Sequence, residues 1–254
     1  MTKNNNVADL LSSLKEYHDN SSLPVYIPTI GKNVLFKILT IKEHRDLFDT
    51  LREEDSPGVI INTFNNLIVN ACEDQFKDQL TVLDRSIILL SLRMHLFGDI
   101  LPVTGGSKNK NTISIQDHIS KCIADPLPTS VTNHIISDSD FEITCQIPSI
   151  NIDINVNKAL FGKIKKDKKK TLGHLFMYEL VKYIDVLKFN DKEFAFADVP
   201  LNQQIQICEL LPISISSSLS TYINNVKSVE SEYLKVSDGV NLTLEAILLS
   251  DEND

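Results

Sequence analysis

The sequence predicts an α+β fold: a helical N-terminal subdomain, a small, mostly antiparallel sheet in the middle, and a helical C-terminal part with a hairpin and a closing strand. Three observations carry that prediction. Apolar residues recur at three and four through most of 40–98, β-branched residues concentrate between about 111 and 157, and helical spacing resumes at Leu172. The corresponding segments are 1–23, a flexible extension with a short helix; 24–102, helical; 103–160, the sheet region; and 161–254, helical with a hairpin and an acidic tail. With 254 residues, 42% of them hydrophobic, the chain is long and apolar enough to build one large or two small cores.

Val7, Leu10, Leu11 and Leu14 give a short, loosely docked helix that ends in the polar break HDNSSLP. VLFKI at 34–38 reads as a strand, and Thr40 with Glu43 three positions on forms a capping box for a helix through Leu51. Pro57 suits a first helical turn, and Ile60, Phe64, Leu67, Ile68 and Ala71 mark the buried face of the helix it starts. Thr81 is the expected N-cap of VLDRSIILLSLRMHLFGD, with Asp84 favouring the positive helix end and Gly98 closing it. IILLSL is apolar nearly all round, which predicts a central position.

After the polar loop LPVTGGSKNKN, the stretches TISI, VTNHIIS, FEITCQI and INIDINV read as strands, the last by strict alternation from Ile150 to Val156. QDHISKCI is a short helix among them. Beyond the lysine-rich stretch, Leu172, Leu175, Phe176, Leu180, Val181 and Ile184 restore helical spacing, and VLKFNDKEFAF is a hairpin turning at Asn190-Asp191. Pro200 starts a short helix that Pro212 ends, a longer helix follows through ISSSLSTYINNVKSVESEYLKV, and NLTLEAILLS supplies the closing strand.

The net charge of −9 argues against a surface that tracks a phosphate backbone throughout, since that needs a broad basic face. No apolar run approaches the roughly 20 residues needed to span a bilayer, and MTKNNNVADLL lacks the apolar block of a signal peptide. A cytoplasmic location is expected. Cys72, Cys122, Cys145 and Cys208 have no paired spacing and read as small apolar fillers. Lysine outnumbers arginine heavily, a bias that fits an A+T-rich coding sequence.

The sequence contains no G-x-S-x-G, H-E-x-x-H, Walker or G-x-G-x-x-G motif, so neither a catalytic residue nor a cofactor is assigned. His118 and Cys122, one helical turn apart and joined by His134 or Cys145, make the best metal site, but zinc signatures usually carry two such pairs. Asp84, Arg85 and Arg93 read as dipole partners and solvated or ion-paired edges. Lys163, Lys165, Lys166, Lys168, Lys169 and Lys170 surround the single Asp167. No aromatic is interleaved for base stacking, so they form either a solvated connection or a contact for an acidic protein partner.

In their order, VLFKILTIKEHRDLF, VIINTFNNLIVNACED and LTVLDRSIILLSLRMHLFGD resemble the N-terminal half of the baseplate hub assembly proteins of T-even-type contractile-tailed bacteriophages. FEITCQIPSINIDI, ELVKYIDVLKFNDKEFAF and ICELLPISISSSLSTYINNVKSVESEYL resemble that family's second half. The similarity spans roughly residues 24 to 250, and the polar N-terminus, the SKNKN loop and the DEND tail depart from it.

The resemblance implies a non-enzymatic viral tail protein, made in the host cytoplasm, that builds or forms part of the baseplate hub. Its partners are then other baseplate or hub proteins, with self-association and residence in the virion left open, no membrane, and nucleic acid disfavoured. The alternative function is a nucleic-acid-binding accessory protein using the 163–170 lysines.

Overall fold

The computed structural model describes residues 7–53, 56–104, 110–132, 134–138, 140–164, 171–190, 192–237, 240–243 and 247. Helix α1 (Val7–Asn20) has no buried residue. It leads into an antiparallel hairpin of β1 (Ser22–Ile27) and β2 (Lys32–Lys37). The polar break predicted around HDNSSLP therefore gives way to a strand. Val25 and Ile27 alternate with exposed neighbours and bury against the same core as Val34 and Phe36. Gly31, at φ +72°, supplies the left-handed turn between the two strands.

Helix α2 (Ile41–Glu53) opens with the predicted capping box: the Glu43 N–H donates to Thr40 Oγ1 at 3.1 Å, and the Thr40 N–H donates back to the Glu43 carboxylate at 2.8 Å. Helix α3 (Pro57–Ala71) begins on its proline, and a single 3₁₀ turn (Asp74–Phe76) follows. Helix α4 (Arg85–Phe97) is the centre of the molecule, with every residue from Arg85 to Arg93 buried. Gly98, at φ +87°, closes it by donating its N–H to the Met94 carbonyl.

Helix α4 starts three residues later than the sequence suggests, and its N-cap is Asp84 rather than Thr81. The Asp84 carboxylate is committed elsewhere. It accepts the N–H and hydroxyl of Thr81 at 2.8 and 2.9 Å, and the N–H and hydroxyl of Thr29 at 3.2 and 2.6 Å. Residues 81–84 thereby become a turn that ties the β1–β2 connection to the head of the central helix.

The chain continues through the antiparallel hairpin β3 (Ile100–Thr104) and β4 (Lys110–Ser114) and then α5 (Ile115–Cys122), capped by Ser114 Oγ accepting the Asp117 N–H. Strands β5 (Ile135–Asp138) and β6 (Phe141–Cys145) come next. INIDINV, read as a strand from its alternation, is instead the first half of α6 (Ile150–Ile164). Ile150, Ile154, Asn157 and Leu160 recur at helical spacing on its buried face, with Asp153 beside them. Ser149 fixes the start by taking the Ile152 N–H on its hydroxyl and the Asp153 N–H on its carbonyl. Two backbone bonds, Val82 N–H to the Pro148 carbonyl and Ile150 N–H to the Leu80 carbonyl, dock this helix beside the head of α4.

After α7 (Thr171–Lys182), β7 (Ile184–Phe189) and β8 (Lys192–Ala195) form the predicted hairpin, with Asn190 at φ +48°. Asp191 lies outside the described residues. A four-stranded antiparallel sheet, ordered β5-β6-β7-β8, thus takes strands from both sides of the lysine-rich stretch. A 3₁₀ turn (Phe196–Asp198), α8 (Leu201–Leu210) and α9 (Ile213–Leu234) follow, each helix entered from an extended proline, Pro200 or Pro212. A closing strand is present but lies earlier than predicted: β9 (Lys235–Ser237) pairs with β10 (Val240–Asn241), so of NLTLEAILLS only Asn241 is in a strand, while Leu242 and Thr243 are outside one and Ile247 is helical.

One continuous apolar cluster runs from Val25 to Ile247 and includes residues of α3, α4, α6, α7 and α9. Beside this cluster α3 and α6 approach closely at Gly58, where the Phe161 ring of α6 fills the space a Cβ would take. A helical glycine normally gains about 1 kcal/mol on replacement by alanine. Here Gly58→Ala is expected to cost about 1–3 kcal/mol by overpacking, measured by urea unfolding. Adding Phe161→Leu should recover part of the loss; a stabilised Gly58→Ala protein would contradict the contact.

Candidate functional site

Asp153 on α6 is the hub of a buried ionic cluster. Its Oδ1 lies 2.8 Å from Lys182 Nζ of α7, and its Oδ2 accepts from Asn65 Nδ2 of α3 at 2.8 Å and from Arg85 of α4 at 3.3 Å. Asp153 and Arg85 are almost wholly buried. Lys182 also pairs with Glu179 at 3.0 Å, Lys227 of α9 reaches Glu179 at 2.7 Å, and Arg85 stands 3.8 Å from Glu230 of α9. Three cations thus face three acids, and the cluster joins α4, α6, α7 and α9.

The cluster forms the polar wall of a cavity of about 480 Å³. Its apolar wall includes Ile61, Val82, Leu160, Phe161, Leu175 and Tyr178. Lys227, about half exposed, stands at its outer edge. Arg85 Nε, Asn65 Oδ1 and Ser86 Oγ are buried without a hydrogen-bond partner among the described residues.

Burial alone would push the Asp153 and Glu179 carboxyls up. For Asp153 the charges of Lys182 and Arg85 outweigh it, and for Glu179 those of Lys182 and Lys227, so both titrate below the ordinary carboxylate range. Burial would likewise lower Lys182, but Asp153 and Glu179 raise it. Glu230 goes the other way: burial raises it, and its one nearby guanidinium, Arg85, does not compensate. The arrangement clamps helices together. Its charged groups form a joint between those helices along one side of the pocket.

Of the six lysines singled out in the sequence, Lys163 is exposed in the last turn of α6, its Nζ 5.4 Å from the ring of the cavity residue Tyr178. Lys165, Lys166, Lys168, Lys169 and Lys170 lie outside the described residues. His118 and Cys122 do meet, Sγ to Nε2 at 3.6 Å, but the same Nε2 is bonded to the Tyr233 carbonyl at 2.8 Å. His134 stacks on Tyr222 instead, at 5.0 Å. Among the described residues, no group of three or more His, Cys, Asp or Glu is placed to hold a metal ion. Burial pushes the Cys122 thiol up to about 11 and those of Cys72, Cys145 and Cys208 up to about 12. That is the behaviour of inert fillers.

Asp84, Arg85 and Arg93 are not solvated edges. All three are buried, and Arg93 donates to the Ile247 carbonyl at 2.9 Å while its guanidinium lies over the Phe97 ring. Sequence reasoning missed Asp153, Glu179, Lys182, Lys227 and Glu230 as a group. The one local signal was the i,i+3 pair Glu179 and Lys182; the rest meet only through the packing of four helices.

Among comparisons with known proteins, residues 20–237 match the family described as T4 bacteriophage base plate protein. No curated protein matches, and no solved structure does. No helix among the described residues is long and apolar enough to cross a membrane.

Two substitutions in the cluster should behave oppositely. Asp153→Ala leaves Arg85 and Lys182 buried without their shared anion and is expected to cost about 3–5 kcal/mol at neutral pH. Because Asp153 titrates lower folded than unfolded, its contribution is fully present above about pH 4 and is lost as pH falls through the folded value. Denaturant unfolding from neutral to acid pH should therefore show the gap to wild type narrowing. Glu230 titrates higher when folded, so ionising it opposes folding as pH rises. Glu230→Gln is expected to be neutral or stabilising at pH 7, and a loss comparable to that of Asp153→Ala would refute the assignment.

Proposed function

Because the chain belongs to the T4 bacteriophage base plate protein family, and is a baseplate structural protein on that ground, we propose that it builds or forms part of the central hub of the baseplate. It does so by protein–protein contact rather than by catalysis. The family match across most of the chain is the observation that carries this reading. The order of the sequence segments resembling hub assembly proteins supplies the finer word.

The internal chemistry agrees with a scaffold. A protein that docks against others benefits from a stiff frame, and the Asp153 cluster joins the helices that make up that frame. For the docking surface, the 163–170 lysines present positive charge to an acidic face of another baseplate protein. Lys163 is exposed near Tyr178, and Lys227 stands at the outer edge of the same cavity. Apolar Leu175 and Phe176, about 40% exposed, flank that region as anchors. Charges in such positions accelerate encounter more than they deepen affinity.

Co-purification from infected cells tests the hub reading: the protein should come down with hub components, and association with no tail protein would overturn it. Changing the six lysines to glutamine should slow complex formation and flatten its salt dependence while leaving the circular dichroism spectrum unchanged. Unaltered association kinetics would remove the lysines from the contact. Salt-sensitive DNA binding lost in the same variant would favour the nucleic-acid alternative.

A further inference from the structure

The cavity beside the Asp153 cluster is lined by a cation whose hydrogen-bonding capacity the cluster does not use. Asp153 is met by three donors, and Lys182 and Lys227 hold Glu179 at 3.0 and 2.7 Å. Arg85 is different. Its guanidinium carries several N–H donors and no acceptor, and its side chain is only 5% exposed. Among the described residues it makes one hydrogen bond, to Asp153 at 3.3 Å. Nε has no partner, and Nη1 has the Glu230 carboxylate at 3.8 Å, beyond hydrogen-bond reach. Buried donors of this kind ordinarily find an acceptor.

The surroundings specify which acceptor fits. Arg85 and Glu230 both line the cavity, with Lys227 at its outer edge. Glu230 is faced by Arg85 of α4, Asp153 of α6, Glu179 of α7 and Lys227 of its own helix, and its charge bears on Tyr183 just before β7. Burial, with the two neighbouring acids, makes it take up a proton more readily than an ordinary glutamic acid. Holding that proton, Glu230 changes from a competing acceptor into a donor, and the wall is left with three cations against two ionised acids. One negative charge balances it. An added cation would instead stand among three already present. The volume of about 480 Å³ is larger than one inserted acidic side chain needs, and it falls within the roughly 300–1,000 Å³ of small-molecule cavities.

We propose that the cavity binds a small monocarboxylate with an apolar tail, its carboxylate on the Arg85 guanidinium and its tail against Leu160, Phe161 and Leu175. Lys227 draws the anion in at the outer edge, and protonated Glu230 completes the donor set. The proposal goes beyond the hub reading and does not rest on it.

The test is titration calorimetry of the full chain with hexanoate, beside hexylammonium, which has a similar tail and the opposite charge. Hexanoate is expected to bind saturably and hexylammonium at least about tenfold more weakly. Because the bound carboxylate favours protonated Glu230, affinity is full below the folded Glu230 value and falls as pH rises through it. Glu230→Gln keeps a donor at every pH and should remove that dependence between about pH 6 and about pH 8. Lys227→Gln, at a half-exposed position, should keep the wild-type circular dichroism spectrum and weaken hexanoate binding about threefold. Absence of saturable binding, equal binding of hexylammonium, or an affinity that neither substitution alters overturns the proposal. Binding of a glutamate-rich peptide without binding of hexanoate also overturns it, and makes the cavity a socket for a protein side chain.

Discussion

The fold depends on one buried carboxylate. Asp153 is surrounded by a guanidinium, an ammonium and an amide from three different helices, and each of those donors would be costly to bury without it. Close packing alone leaves helices free to settle in several registers, since apolar surfaces are tolerant of sliding. A carboxylate that must meet Arg85, Lys182 and Asn65 at once leaves one arrangement of α3, α4, α6 and α7. Glu179 and Glu230 extend the same restriction to α9 through Lys227 and Arg85.

That carboxylate also explains why INIDINV resisted local reading. Its isoleucines alternate with polar residues, which suits a half-buried strand, but Ile150 and Ile154 are equally one helical turn apart. Over seven residues the two periods are nearly indistinguishable. What decides between them is that Asp153 has to face inward, a requirement created by Arg85 and Lys182, 68 and 29 residues distant. Local signals succeeded where the deciding chemistry was itself local: the Thr40–Glu43 box, Pro57, Gly98 with its positive φ, and the turn at Asn190. The start of α4 slipped for the same reason as α6, because Asp84 answers to Thr29, 55 residues away. The charged cluster was illegible as a site because its members share no motif, only a meeting point.

Function and frame divide along a related line. The residues that make the frame are charged, mostly buried and ion-paired, whereas Lys163, proposed for partner contact, is exposed. A protein of a large assembly needs both: the interior sets the angles at which the exterior is presented. The buried Cys72, Cys145 and Cys208 fit the same division, as does His118, whose Nε2 is bonded to the Tyr233 carbonyl.

The bond from Arg93 to the Ile247 carbonyl bears on how the chain is born. Helix α4 packs against β1, α3 and α5, with α9, the Asp153 carboxylate of α6 and the Ile247 carbonyl completing its surroundings. On the ribosome, β1 and α3 therefore precede this buried helix and α5 follows it soon after, while α9 and Ile247 come much later. The Arg93 bond forms only once Ile247 has been made, so this part of the core closes after the packing of α4 on β1, α3 and α5. Until then IILLSL is shielded by the cover that β1, α3 and α5 supply, and those early elements carry the burden of keeping it from non-native contacts.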